Sequence, residues 1–508
     1  MKMDRRKLIV AAGAAGLASI SHIPSALANS VKARAFSFDT VIDQARHLAD
    51  RPFSPPDTKL PKELDGLSYD AYRRIQFLHP QALWVNDGLA FRVEFFHRGG
   101  LFTQKIDLYE VAAGQATLLT YRPEQFLYDP PLETPLPADT GFAGFRIISQ
   151  NGVDLDEIVT FLGASYFRSL GRGQQYGQSA RGLAIATGDP AGEEFPVFRS
   201  FWIERPGQGE TAMRVHALLD SQSIAGAFSF RITPGTATVF DVQSVLFPRK
   251  LISQIGIAPL TSMYLFGPSS PGRFDDFRAA VHDSDGLQMT TGKGEYIWRQ
   301  LENPTRVEES AFADQAPAGF GLMQRETAPE AYDDDEARYQ LRPSAWVKPA
   351  TSWGKGSVHL FELPTREETA DNIVAFWRPT APLQAGKRYD YKYNITWGGP
   401  NIAPPPVGKV VKTRAGRAVN VPEARQFVVD FVLPATESAQ LTPRLTVSSG
   451  SAGPVRLQPQ DQPGHIRASF LFTPPAGAPA DVQNADLRLV LCRNDVAVTE
   501  TWVFRWTT

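Results

Sequence analysis

Ala90-Phe-Arg-Val-Glu-Phe-Phe96 alternates apolar and polar side chains and then stops at His97-Arg-Gly-Gly100. Alternation with period two puts one set of side chains in a core and the other toward solvent, which is the pattern of a half-buried strand closed by a turn. Similar runs follow at Leu101–Val111, Ala116–Tyr121, Phe145–Ile148, Ile158–Leu162, Val197–Ile203, Met213–Leu219, Ala227–Ile232 and Thr236–Leu246. Further runs lie at Tyr296–Trp298, Gly319–Gln324, Ser357–Leu363, Ile373–Trp377 and Tyr389–Trp397. Many short strands separated by turn signals predict an all-β fold with a large N-terminal antiparallel β-sandwich. The 40 prolines and 40 glycines suit those turns better than long helices. Only two short helices are expected, over Phe38–Ala49 with Asp39 as N-cap, and over Ser68–Phe77.

The texture changes after the proline-rich Asn401-Ile-Ala-Pro-Pro-Pro-Val-Gly408. Strand patterns at Arg425–Leu433, Arg444–Ser449, Ile466–Thr473, Ala485–Cys492 and Thr499–Trp506 have the spacing of a small immunoglobulin-like β-sandwich. The expected division is 1–28 as a leader, 29–400 as the large sandwich, 401–414 as a linker and 415–508 as the small C-terminal sandwich. The leader reads as an export signal. Asp4-Arg-Arg-Lys-Leu8 precedes a short apolar run and the small residues Ser25-Ala-Leu-Ala28. Arg5-Arg6 suggests the twin-arginine route and hence a periplasmic location. A retained membrane anchor is the alternative, and no later segment has the length of a membrane helix.

Net charge is −2 with no basic block, so nucleic acid is not an expected partner. The single cysteine, Cys492, excludes an intramolecular disulfide and a cysteine-rich metal site. The histidines show no paired ligand spacing, so neither a metal nor another cofactor is expected. Gly177-Gln-Ser-Ala-Arg-Gly182 has the wrong spacing for a nucleophile elbow. Carboxylates and aromatics remain. In Pro364-Thr-Arg-Glu-Glu-Thr-Ala-Asp-Asn-Ile-Val-Ala-Phe-Trp377, Asp371 stands where an acidic loop meets an apolar strand. Such a junction can desolvate a carboxyl group, as a general acid requires; a solvated acidic turn is the plain alternative. Val281-His-Asp-Ser-Asp-Gly286 offers a second carboxylate, Asp283. Glu368 stands three residues before Asp371 and either positions a sugar or is a turn charge; Asp285 either orients Asp283 or caps a turn. Tyr339, Trp346 and Trp353 are candidate flat surfaces for a sugar, or core residues.

Several blocks resemble the periplasmic glucan biosynthesis proteins G and D. They include Gly141-Phe-Ala-Gly-Phe-Arg146, Phe161-Leu-Gly-Ala-Ser-Tyr-Phe-Arg168, Ser179-Ala-Arg-Gly-Leu-Ala-Ile185, His282-Asp-Ser-Asp285, Arg342-Pro-Ser-Ala-Trp346, Asp371-Asn372 and Glu500-Thr-Trp502. The twin-arginine start is closer to the D branch. The resemblance implies a cleft in the large sandwich and inverting chemistry on β-1,2-glucan. Asp371 matches the general acid and Asp283 the general base, joined by a proton relay through a substrate hydroxyl and water. It also implies two other readings: a transglycosylase, or a glucan-binding scaffold for a membrane-bound synthase. The stretch 397–414 departs from the family pattern, in a neighbourhood that can close over the cleft in relatives.

Overall fold

The computed structural model describes residues 33–507 except 133, 152–153, 271–272, 435–439 and 476–483. The expected leader, and with it the Arg5-Arg6 leaning toward the D branch, lies outside the described residues. Among these, no helix is long and apolar enough to cross a membrane.

Two large sheets make the body of the molecule. The ten-stranded sheet runs Glu308–Gln315, Lys355–Glu362, Ile373–Pro379, Ile255–Ser262, Ser179–Arg181, Tyr166–Ser169, Asp154–Leu162, Phe142–Asn151 and Phe91–His97, with Leu183–Ile185 also on Ile255–Ser262. A sixteen-stranded sheet packs across it. Phenylalanines interlock between the two: Phe145 against Phe201 at 5.0 Å, Phe161 against Phe230 at 5.5 Å and Phe167 against Phe240 at 5.6 Å. The opening strand behaves as its alternation demands, with Phe91, Val93 and Phe95 buried in this core. Glu94, on the other face, is buried too, because Arg146 and His79 cover it at 2.6 and 2.5 Å.

Several strands escape the sequence reading, among them Tyr166–Ser169, Ser179–Arg181, Gly286–Thr290, Ile255–Ser262, Glu308–Gln315 and Ser344–Pro349. Ile255–Ser262 is buried along its whole length, so the period that marks a half-exposed strand is erased. Glu308–Gln315 and Ser344–Pro349 lack a strong apolar run. The first helix spans Phe38–Ala49, but its N-cap is Ser37, whose N–H donates to Thr40 Oγ1 at 3.2 Å. Asp39 instead sits in the first turn, where its charge suits the helix dipole. The second helix is only Tyr69–Arg73, capped by the Ser68 hydroxyl, and Gln76–Phe77 leaves it as a strand.

The C-terminal region forms a second sandwich that shares a sheet with the first. Lys409–Arg417, Arg425–Val432 and His465–Thr473 build one layer of a five-stranded sheet. The strand Lys409–Arg417 thus begins inside the stretch expected to be a linker, because it finds a partner in Arg425–Val432. The facing layer, Thr442–Val447, Asn484–Arg493 and Thr501–Thr507, continues the sixteen-stranded sheet. Thr501–Thr507 pairs in parallel with Tyr296–Gln300 of the large sandwich, Trp298 opposite Trp502. The second core reflects this sharing. Phe427, Phe470, Trp502 and Phe504 pack together with Trp298, Met323 and Trp346 from the large sandwich.

Candidate functional site

Asp371 and Asp283 are far apart in sequence and are joined through one short piece of backbone, Met263–Tyr264. The Asp283 N–H donates to Met263 O at 2.8 Å, and His282 pairs with Tyr264 across a two-stranded ladder. From the other side, the Asn372 side chain grips the same residue. Its Oδ1 accepts from Tyr264 N–H at 2.8 Å, and its Nδ2 donates to Tyr264 O and Leu363 O at 3.0 Å each. An amide satisfies a strand end in this way without adding charge. The residue before that clamp is Asp371, and the residue after His282 is Asp283.

The two carboxylates have different surroundings. Asp371 is exposed, with Arg168 Nη2 3.9 Å from its Oδ2. The desolvation expected at the loop–strand junction begins one residue later, at the buried Asn372. Asp283 is buried. Burial pushes its carboxyl above the usual carboxylate range; the Arg342 guanidinium opposes this, and the charges of Asp371 and Glu368 add to the rise. Asp283 Oδ1 and Arg342 Nε lie 3.5 Å apart, and neither makes a hydrogen bond among the described residues. A buried carboxylate oxygen and a buried guanidinium N–H without partners cost free energy, so this corner is arranged for a group that the protein itself does not supply.

Glu368 is held. It accepts from Arg278 at 2.8 Å and from the Tyr339 hydroxyl at 3.3 Å, while Arg278 also binds Asp276 and Asp334. Tyr339 is buried beneath Arg342, whose guanidinium carbon sits 5.4 Å from the ring centre. Burial and the neighbouring Glu368 push the Tyr339 hydroxyl up, so it stays a donor. Glu368, Tyr339, Arg342 and Asp283 therefore form one wall.

Three expected site residues stand elsewhere. The Asp285 carboxylate accepts the backbone N–H groups of Arg325 and Glu326 at 3.1–3.2 Å, so it caps a turn. Burial pushes it up to about 6 despite those bonds and Arg325. Trp346 is buried in the second core over Gly319 and Gly321, where an added Cβ would strike its ring or backbone. Trp353 is buried in the main core against Trp377, Tyr391 and Tyr393. Both indoles sit where large aromatics contribute most to packing.

Sequence reasoning named no arginine of the site. Arg168, Arg342 and Arg278 supply its positive charge, and Tyr166 and Arg181 extend it along the same sheet, stacked at 4.8 Å. Arg168 and Arg342 do stand at the ends of quoted sequence blocks. Their position beside acids follows from tertiary packing, which no local pattern encodes. The departing stretch 397–414 docks on the second core: Ile402 and Ala403 pack there, and Ala403 O accepts from Gln288 Nε2 at 2.6 Å.

A family model described as "Periplasmic glucan biosynthesis protein, MdoG" matches residues 36–506. A Rhodopseudomonas palustris protein named "Glucans biosynthesis protein G" is 44% identical over 512 residues, covering 99% of this chain and 100% of the relative. A protein of the same name from Vibrio cholerae is 45% identical over 482 residues, covering 94% and 88%. Another from Bradyrhizobium diazoefficiens is 43% identical over 511 residues, covering 99% and 100%.

Proposed function

The chain belongs to the MdoG family of periplasmic glucan biosynthesis proteins, and within that family we propose that it cleaves the β-1,2-glucan backbone in the periplasm as an inverting endo-glucanase. The observation that supports this is the pairing of an exposed carboxylate, Asp371, with a buried and incompletely satisfied one, Asp283, across the Met263–Tyr264 backbone. Glycoside cleavage by inversion needs one acid to protonate the leaving oxygen and one base to take the proton from water. Asp371, reachable from solvent, is the donor to the glycosidic oxygen. Asp283, whose buried carboxyl binds a proton more readily than a free one, ends the path from water. Bound glucan would cover Asp371 and supply the desolvation that the free protein lacks. Glu368, fixed by Arg278 and Tyr339, is placed to hold a sugar hydroxyl.

Transfer needs a sugar hydroxyl in place of water at the anomeric carbon, and hydrolysis needs water admitted there. With Asp371 exposed and the 397–414 stretch docked on the second core, hydrolysis is the favoured outcome.

The test is incubation of the mature protein with linear β-1,2-glucan, wild type beside Asp371→Asn, with products read by mass and linkage. Shorter chains with new reducing ends are expected. They should fall by about 10²–10⁴-fold in the variant while glucan binding and melting temperature hold. New linkages without new reducing ends would make the protein a transglycosylase. Binding with no product from the wild type would make it a scaffold.

A further inference from the structure

The turn that carries Asp283 is held from both ends by a single segment, Met323–Glu326. On the near side, the Gln324 side chain takes hold of His282: its Oε1 is 2.9 Å from His282 Nδ1, and its Nε2 donates to His282 O at 3.1 Å. On the far side, Asp285 N–H donates to Met323 O at 2.9 Å, and the Asp285 carboxylate accepts from the Arg325 and Glu326 amides. Gln324 Nε2 also donates to Tyr339 O at 3.1 Å, so the same segment touches the Glu368 wall. Asp283 thus sits between Met263 O, which takes its own N–H, and the Met323–Glu326 segment, which holds the residues on either side of it.

That segment meets the C-terminal sandwich through Met323, packed in the second core, through Glu326, 3.6 Å from Lys412, and most closely through Arg325. The Arg325 guanidinium forks onto Glu500 at 2.7 and 2.8 Å and donates to Val410 O at 2.7 Å. It also donates to Gln288 Oε1 at 2.6 Å and lies 3.6 Å over the Trp298 ring. Glu500 is completely buried and takes a further N–H from Val410 at 3.0 Å. Val410 and Glu500 belong to the C-terminal region, and Trp298 lies on the strand that pairs with Thr501–Thr507.

A buried ion pair is a poor choice for stability alone, since apolar residues of similar volume stabilise such a place as well or better. What a bidentate fork adds is a fixed direction as well as a fixed distance. From this arrangement we infer that the C-terminal sandwich is a working part of the acid–base site, and that Glu500 and Arg325 are positioning residues which set the placement of Asp283. The inference rests on the base assignment proposed above. A misplacement of about 1 Å at a reacting group can cost about 10²-fold in rate, so a sandwich that never touches glucan can still control turnover.

The experiment uses the full mature chain in four forms: wild type, Glu500→Gln, the apolar double variant Arg325→Met with Glu500→Leu, and Asp283→Asn. Three quantities are read: turnover of linear β-1,2-glucan, its dissociation constant, and amide hydrogen exchange across residues 281–286. Glu500→Gln is expected to lower kcat by about 10–100-fold, leave glucan affinity within about threefold, and speed exchange at 281–286. Should Glu500→Gln fail to fold, the double variant carries the test, because apolar pairs replace buried ion pairs without loss of fold. It is expected to melt near the wild type and still show the lowered kcat and faster exchange. A double variant with wild-type kcat and wild-type exchange would overturn the inference and leave the clamp as a mere domain joint. If Asp283→Asn keeps full turnover, the base assignment falls instead, while exchange at 281–286 still decides whether the clamp holds that turn.

Discussion

Asp371 and Glu500 are both acidic residues beside an arginine, and they stand at opposite extremes of burial. Asp371 is exposed and 3.9 Å from Arg168. Glu500 is fully buried, 2.7 Å from Arg325, and both its carboxylate oxygens accept hydrogen bonds. An exposed pair of that length contributes little, about 0–1 kcal/mol. A buried pair is costly to break, because one partner's removal strands the other's charge. The seam is thus a densely bonded network, whereas the acid site holds loose ion pairs, Asp371 with Arg168 and Asp283 Oδ1 with Arg342 Nε, the last two atoms without a hydrogen bond among the described residues. A network with every bond made has nothing left to offer a ligand; groups left unmade are where one can act.

This contrast can be broken by mutation, and the largest effect belongs to the acid site. Asp371→Asn should remove turnover and leave stability alone, because the residue is exposed and its ion pair is long. Arg325→Ala should instead cost stability as well as turnover. It strands the Glu500 charge, and urea unfolding should show a loss of about 3–5 kcal/mol spanning both sandwiches, since they share a sheet. Separate unfolding of the two sandwiches in wild type would break the argument that they are one body.

Asp283→Asn sharpens the comparison further. Its folded carboxyl is raised above the unfolded value, so the ionised form costs stability once pH exceeds the unfolded value of about 3.9. The variant should therefore melt higher than wild type at pH 7, with the gain fading toward pH 4, even as turnover is lost. Glu302, outside the proposed chemistry, follows the same sign: burial pushes it up to about 7, and its Oε1 lacks a partner among the described residues. Glu302→Gln should raise the melting temperature at pH 8 and give no gain at pH 4. The smallest effect expected is that of Tyr339→Phe. It removes one 3.3 Å hydrogen bond to Glu368, worth about 1 kcal/mol, and kinetics should show a rise in KM of a few fold with kcat nearly intact.

The carboxylates of the candidate site were legible in the chain because chemistry leaves local marks. Asp371 stands at the end of an acidic loop before an apolar strand, and Asp283 in a compact acidic turn. Both also fall in blocks shared with relatives. Tyr339 was legible as an aromatic near the acidic loop, but Trp346 and Trp353 looked the same in sequence and went to the two cores. What separates them is the face of the strand and the layer above it. Asp285 shows the limit most clearly. It is two residues from Asp283 in a strand-like turn, yet its carboxylate serves the Arg325 and Glu326 amides, which only the folded chain brings near.

Local alternation and turn residues were enough to determine that this chain is all-β and where many of its strands lie, since the period of side-chain burial is written residue by residue. The tertiary structure alone decided that Thr501–Thr507 joins Tyr296–Gln300 and makes one sheet of two sandwiches. It also decided which acids are buried, which are paired and which remain open. Pairing between distant strands depends on which edge is free and what packs across it, and no window of sequence contains both edges.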